Sequence, residues 1–372
     1  MPADPIRVLM TADAIGGAWT FALDLARALT PRGVRIALAT MGPLPSAAQR
    51  RAAASVPNLE LFTTKFRLEW MTDPWDDVRA AGEWLVRLEK WVRPDVIHIN
   101  GFAHAALPFR APVVSVGHSC LQSWAEALPG AIDEGMLARF QREAARGLEA
   151  ARLVIAPSHA MMRALQHHYG PLKRTLVIHN GRSDELFRPG RKEPFVMTSG
   201  RLWDRARNVD AVARVAPRLR WPTAMVGEMG SLPGGRGLSG NGLRVLGLLE
   251  EDVQAAWLAR ASIFALPARY EPFGLLPLEA ALSGCALVLG DIESLREIWG
   301  DAATFVNPDD HDALAFALHA LMDSSQHLER YAAAARSRAR RYSVQRMAAG
   351  YLEAYRRALS GEDSHGALSE AS

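Results

Sequence analysis

Short apolar runs alternate along this chain with longer stretches whose apolar residues recur every three or four positions. The runs at residues 6–10, 34–39, 57–66, 95–100, 113–118, 153–157 and 176–181 read as strands. So do those at 194–199, 224–228, 243–247, 261–267 and 286–289. Residues 18–29 place Phe21, Leu25, Ala28 and Leu29 on one stripe, the pattern of an amphipathic helix. Residues 74–91, 130–151, 250–261, 276–282, 310–322, 328–341 and 343–359 are also expected to be helical, and helices start near Ser158 and Asn208. Such alternation builds an α/β fold with doubly wound parallel sheets. The polar stretch 183–194, with two prolines, is the expected boundary between a domain at 1–185 and one at 186–342. Residues 360–372 are small and polar and are expected to be disordered.

Composition fits two globular domains. Of 372 residues 49% are hydrophobic and 22% charged, and no apolar run approaches the ~20 residues that span a bilayer. The opening residues lack the basic and apolar regions of a signal peptide, so a cytoplasmic protein is expected. Cys120 and Cys285 make neither a disulfide framework nor a metal quartet. A net charge of +3 does not point to nucleic acid. The arginine-rich run 336–341 and Arg356-Arg357 are ordinarily a solvated face; the alternative is peripheral contact with an anionic membrane.

Chemistry concentrates in residues 269–290, which read strand end, loop, helix, strand. Glu271 stands at the helix mouth and Glu279 about two turns along, eight positions later. The start of that helix presents backbone N–H groups to an anion. Upstream, the strand 194–199 is followed by Gly200, Arg201, Arg205 and Arg207. Two guanidinium groups at a strand end, ahead of a helix start, suit a diphosphate. In the first half, Gly16 and Gly17 follow the opening strand without the full G-x-G-x-x-G pattern, and His118 ends the strand 113–118 where it faces a crevice. Trp70, Trp75, Trp84 and Trp91 are expected mainly as core packing. His98 and His104 have no acidic partners spaced for a metal.

Residues 269–290 resemble the E-x7-E signature of retaining nucleotide-sugar glycosyltransferases of the GT-B fold, the large family 4 of sucrose-synthase-like and mannosyltransferase enzymes. Residues 295–308 resemble the segment after that signature, and 176–181 resemble the family's I-x-N-G segment. The resemblance implies two Rossmann-like domains facing a cleft, with the helix 343–359 crossing back to the first domain. It implies a nucleotide-diphosphate sugar in the second domain and an acceptor hydroxyl, of a glycan, lipid or small molecule, against the first. On this reading Arg201 and Arg207 neutralise the departing diphosphate, helped by N–H groups of Phe273, Gly274 and Leu275. Glu279 takes the ribose hydroxyls and Glu271 a sugar hydroxyl. His118 lies near the transferred sugar, Gly16 and Gly17 near the donor phosphate and acceptor, and Leu246 and Gly247 near the base. The family's lysine after Gly-Arg-Leu is replaced here by arginine, with Arg205 and Arg207 the candidates. Same-face attack without a covalent nucleophile is implied. With no Asp-x-Asp motif at a strand end, neither metal nor cofactor is expected. The alternatives are a GT-B nucleotide-sugar epimerase and a non-catalytic sugar-nucleotide-binding protein.

Overall fold

The structure is a computed structural model and describes residues 5–200, 204–227 and 242–361. Arg201, most of the glycine-rich stretch 229–242 and residues 362–372 lie outside the described residues.

Strands β1 (Arg7–Asp13), β2 (Arg35–Met41), β3 (Leu59–Thr63), β4 (Val96–Ile99), β5 (Val113–Val116), β6 (Leu153–Ala156) and β7 (Thr175–Val177) form one sheet. Its order is β3-β2-β1-β4-β5-β6-β7, parallel throughout. Six helices connect these strands: α1 (Gly17–Leu29), α2 (Ala47–Ala54), α3 (Trp75–Val92), α4 (Leu121–Ala127), α5 (Glu134–Ala150) and α6 (His159–Tyr169). The second sheet holds β8 (Glu193–Ser199), β9 (Thr223–Val226), β10 (Leu243–Gly247), β11 (Ala261–Leu266), β12 (Ala286–Gly290) and β13 (Thr304–Val306). Its order is β10-β9-β8-β11-β12-β13, again parallel. With it go α7 (Val209–Val215), α8 (Glu251–Arg260), α9 (Leu275–Leu282), α10 (Glu293–Trp299), α11 (His311–Asp323) and α12 (Ser325–Ala339). The last helix, α13 (Val344–Ser360), packs on α1. Two parallel doubly wound sheets confirm the expected fold class.

Strands covered on both faces read as unbroken apolar runs, so the sequence locates most of them. In β4, β5, β6, β9, β11 and β12 every residue is buried. Tyr351 and Tyr355 of α13 are fully buried in the core of the first sheet, with Tyr351 edge-on to Phe21 at 5.3 Å. Phe264 and Trp299 fill the corresponding core of the second. Burying side chains of this size contributes ~1.5–3 kcal/mol each.

Several boundaries differ from expectation. The helix expected from residue 130 starts at Glu134, because Asp133 Oδ1 accepts the Met136 N–H at 2.9 Å and caps it there. The polar helix α2, held by a Ser46–Gln49 capping box, has no apolar stripe to announce it. The helices α4 and α10 and the strand β13 are too short to show a period. Of the four tryptophans Trp75 is buried, whereas Trp70 and Trp91 are exposed. Within the arginine run, Arg338 is partly buried and donates to the Ile298 and Glu297 carbonyls at 2.7 and 3.0 Å. Among the described residues no helix is long and apolar enough to cross a membrane.

Candidate active site

The strand order of the first sheet reverses between β1 and β4, and that of the second between β8 and β11. Doubly wound sheets take ligands at the carboxyl ends of such strand pairs. Here the two sets of carboxyl ends meet. A Cβ on Gly17 would lie 3.5 Å from Leu275 Cδ1, so the β1–α1 loop abuts the start of α9. Gly16, extended at φ −152°, is the residue before α1.

On the second-half side, Asn208 is buried at φ 55°, a left-handed conformation that asparagine tolerates. Its Nδ2 donates to the Pro267 and Pro308 carbonyls at 2.9 and 2.7 Å. The Arg269 N–H donates to the Ala206 carbonyl at 2.8 Å. The loop after β8 is thus fastened along the loop after β11, and Arg207 lands beside Glu271, with Nη1 3.0 Å from Oε2. The other Glu271 oxygen accepts the Gly274 N–H at 3.0 Å, and Ser294 Oγ donates to the Glu271 carbonyl at 2.6 Å. Below this loop, a Cβ on Gly227 would fall 1.9 Å from the Gly200 carbonyl oxygen, so only glycine fits there.

One expectation is corrected. The Gly274 N–H is not free for a ligand anion, since the Glu271 carboxylate takes it. The Phe273 side chain lies in the core, 2% exposed and edge-on to Tyr342 at 5.5 Å, while the Phe273 N–H has no partner among the described residues. The N–H groups of Leu275 and Leu276 have no partner among the described residues, and they are the donors that the first turn of α9 presents.

Glu279 is not an open carboxylate. It is 5% exposed, with Oε1 3.0 Å from Arg182 Nε and Oε2 accepting from Gln254 Nε2 at 3.0 Å. Arg182 follows β7, and its guanidinium also pairs with Asp24 of α1 and Glu251 of α8 and stacks 4.8 Å from the Phe187 ring. One buried cation thus joins three carboxylates from both halves. Burial above all, then the Glu251 and Asp24 charges, pushes the Glu279 carboxyl up to about 7 against the pull of Arg182. Leu246 packs against the second core, and the Gly247 carbonyl at the end of β10 accepts the Gly227 N–H at 2.9 Å.

On the first-half side, His118 is half-buried, edge-on to Phe21 at 4.4 Å, with Nε2 2.8 Å from Asn100 Oδ1. Asn100 is oriented by two bonds to Thr11: its Nδ2 donates to the carbonyl at 2.7 Å, and its N–H donates to Oγ1 at 2.9 Å. With the amide nitrogen so occupied, Oδ1 is the acceptor, and His118 must carry its proton on Nε2. Nδ1 is then left with a lone pair. His98 Nε2 lies 2.9 Å from the same Oδ1, and its Nδ1 is 2.7 Å from the Tyr355 hydroxyl. Burial pushes His118 down to about 4 and His98 to about 3, so both rings are neutral near pH 7. His104 is buried with Nε2 2.9 Å from the Val78 carbonyl and belongs to the core.

Sequence reasoning missed Asn100, Arg182, Asn208 and Gly227. Only Asn100, at a strand's polar tip, carried a signal that could have raised it. Among the described residues, the group whose His and acidic ligand atoms converge as for a metal is Glu126, His167 and His168, none of them a residue of this site.

Two family models match the chain, Glycosyltransferase Family 4 over residues 15–186 and Glycosyl transferases group 1 over residues 193–324. Glycogen synthase of Mycobacterium tuberculosis is 37% identical over 122 residues, 32% of this chain and 30% of that protein. Phosphatidyl-myo-inositol mannosyltransferase of Mycolicibacterium smegmatis is 31% identical over 116 residues, 30% of each. The matched segments thus span 30% of the length of these curated relatives. In fold, sucrose-phosphate synthase from Thermosynechococcus elongatus matches 96% of this chain and 100% of its own at a TM-score of 0.81 and 16% identity. Anabaena HepE, solved with UDP and glucose, matches 96% and 100% at a TM-score of 0.71 and 20% identity. With successive halves matched by two glycosyltransferase models and the fold shared along its length, the chain belongs to the family 4, group 1 glycosyltransferases of the GT-B fold.

Proposed function

We propose that this glycosyltransferase moves a sugar from a nucleotide-diphosphate sugar to an acceptor hydroxyl with retention of configuration and without a metal. The observation that carries the reading is the Arg207–Glu271 pair, 3.0 Å apart, beside the N–H groups that open α9 and have no partner among the described residues. A cation and two backbone donors at one helix mouth provide fixed positive charge where a leaving diphosphate gathers negative charge. Arg201, earlier in the same loop, is assigned the same task on its sequence position. The complexes of HepE with UDP and with UDP-glucose support a nucleotide sugar as the donor class.

Glu271 takes a hydroxyl of the transferred sugar and lies where it stabilises oxocarbenium character. Glu279 pairs with Arg182 through Oε1 and accepts from Gln254 through Oε2, and its remaining lone pairs accept the ribose hydroxyls. The neutral His118 presents Nδ1 as an acceptor near the sugar. Same-face attack, with the departing phosphate taking the acceptor proton, needs no protein nucleophile, unlike the paired carboxylates of retaining glycosidases. The arginines and helix donors carry the charge that a metal carries elsewhere, and no cofactor is assigned.

Thermal-shift screening against UDP-, GDP- and ADP-sugars identifies the donor, because a ligand that binds only the folded state raises the melting temperature. Transfer is then followed with a panel of glycan, lipid and small-molecule acceptors, and NMR reads the anomeric configuration. Inverted product overturns retention, and rates lost to EDTA overturn metal independence. Binding without turnover for any acceptor favours a sensor. Conversion of donor alone to an isomer is the signature of the epimerase, which the family match does not favour.

A further inference from the structure

Glu271 is bracketed in sequence by two residues tied to the opposite half of the molecule. On one side the Tyr270 hydroxyl accepts the Cys120 N–H at 2.8 Å and lies 3.2 Å from Ser119 Oγ and 3.3 Å from the Cys120 carbonyl. On the other the Pro272 carbonyl accepts from Ser158 Oγ at 2.8 Å. Cys120 stands two positions after His118, and Ser158 opens α6. The closing contact continues outward: the Glu297 carboxylate accepts the His159 and Ala160 N–H groups at 2.7 Å each, and Arg163 pairs with Glu293 at 2.7 Å. The outer contacts run along the exposed edge, and among the described residues only Tyr270 joins the Glu271 loop to the His118 loop.

We infer that Tyr270 is a positioning residue whose hydroxyl sets the donor-side Glu271 against the acceptor-side His118 loop when the two halves close. The inference rests on the glycosyltransfer reading above and adds a device that reading does not contain. A phenylalanine would fill the same volume, so the hydroxyl adds orientation rather than bulk. Burial holds the Tyr270 phenol well above its ordinary value, so the O–H keeps its proton and both donates and accepts across the interface. Because Glu271 is the next residue, a shift of the Tyr270 ring moves its backbone directly. Misplacement of a reacting group by about 1 Å costs on the order of 100-fold in rate.

The test is Tyr270→Phe in the full chain, with the donor found by thermal shift. The expected result is an unchanged melting temperature and an unchanged donor Kd, with kcat for transfer lowered roughly 10- to 100-fold. The ratio of donor hydrolysis to transfer rises, since loosened closure admits water. Ser119→Ala keeps the bond to the Cys120 N–H and is expected to lower kcat by less than about threefold. A Tyr270→Phe enzyme with wild-type kcat and wild-type partition overturns the inference, and so does a loss that lies wholly in donor Kd. Small-angle scattering reads closure apart from turnover. Tyr270→Phe is expected to have a larger radius of gyration than wild type, and identical curves overturn the inference in a chain that transfers sugar. A wild-type chain that transfers nothing, with a Tyr270→Phe variant that opens, overturns the glycosyltransfer reading and leaves the inferred contact standing.

Discussion

Arg207 and Glu271 meet across two loops, Nη1 to Oε2 at 3.0 Å, with the arginine side chain 32% exposed and the glutamate 8%. The guanidinium has five N–H donors and spends few of them on Glu271, so the rest are available to a ligand. Arg207→Ala is expected to lower kcat by about 100- to 1000-fold, the usual cost of removing one preorganised donor to developing charge. Arg207→Lys keeps the charge but loses the planar fork, and should fall between. Initial rates at saturating donor check both, and an alanine variant within tenfold of wild type would remove Arg207 from the diphosphate.

Glu271→Gln separates charge from shape. The amide oxygen can still accept the Gly274 N–H that the carboxylate holds at 3.0 Å, so the loop should keep its conformation. What is lost is the negative charge facing Arg207 and, on the proposed role, the sugar. kcat/KM is expected to drop by roughly two orders of magnitude with little change in melting temperature. A variant that unfolds more easily but turns over normally would make Glu271 a loop fastener only.

Most strands were legible because they are buried on both faces, and the glycine-containing loops because those strands end in apolar runs. The helix mouth at Glu271 followed from the same logic. The cross-chain partners were not legible. Arg182 sits in a linker whose neighbours in sequence are polar, and nothing local says that its charge is spent on Asp24, 158 residues away. The same holds for Tyr270, whose partner Cys120 is 150 residues distant. The partners of Glu279 were not legible for a related reason. Helical spacing gives the face of a carboxylate but not what the fold packs onto that face, and here it packs an arginine and a glutamine.

The neutral histidines predict acid sensitivity. With His118 at about 4 and His98 at about 3, the folded chain binds fewer protons below the ordinary value of 6.5 than the unfolded chain does. Stability therefore falls as pH drops from about 6.5 towards those values, by up to ~1.4 kcal/mol per pH unit for each ring. Asn100→Asp places a carboxylate against both Nε2 atoms and should raise the His118 value, which imidazole NMR titration would read. An unmoved titration would mean that Asn100 does not control His118.

Glu279, pushed up to about 7, gives the opposite dependence. Between its ordinary 4.5 and about 7 the folded carboxyl holds a proton that the unfolded one has lost, so its contribution to stability is present below 4.5 and lost as pH rises through 7. On the proposed role the ribose hydroxyls donate to the ionised form, so donor affinity should rise as pH climbs through about 7. Glu279→Gln should weaken nucleotide binding and flatten that pH dependence. Calorimetric titration between pH 6 and 8, a window chosen to span about 7, distinguishes the two. Unchanged affinity in the variant would remove Glu279 from the ribose.

Arg182→Met tests the cation at the junction. Methionine keeps apolar contact with the Phe187 ring, over which the guanidinium now lies at 4.8 Å. It leaves Asp24 and Glu279, both under a tenth exposed, facing Glu251 with no cation between them. Removing one partner of a buried ion pair costs about 3–5 kcal/mol because the remaining charges are stranded, not because the pair was worth that much. The loss should therefore shrink when the carboxyls are neutralised, either by lowering pH from 7 towards about 5 or by adding Asp24→Asn and Glu279→Gln. Urea unfolding of the single and triple variants reads this directly. If the triple variant is no more stable than Arg182→Met alone, the penalty comes from lost packing at the linker, and the three carboxylates are not what Arg182 holds in place.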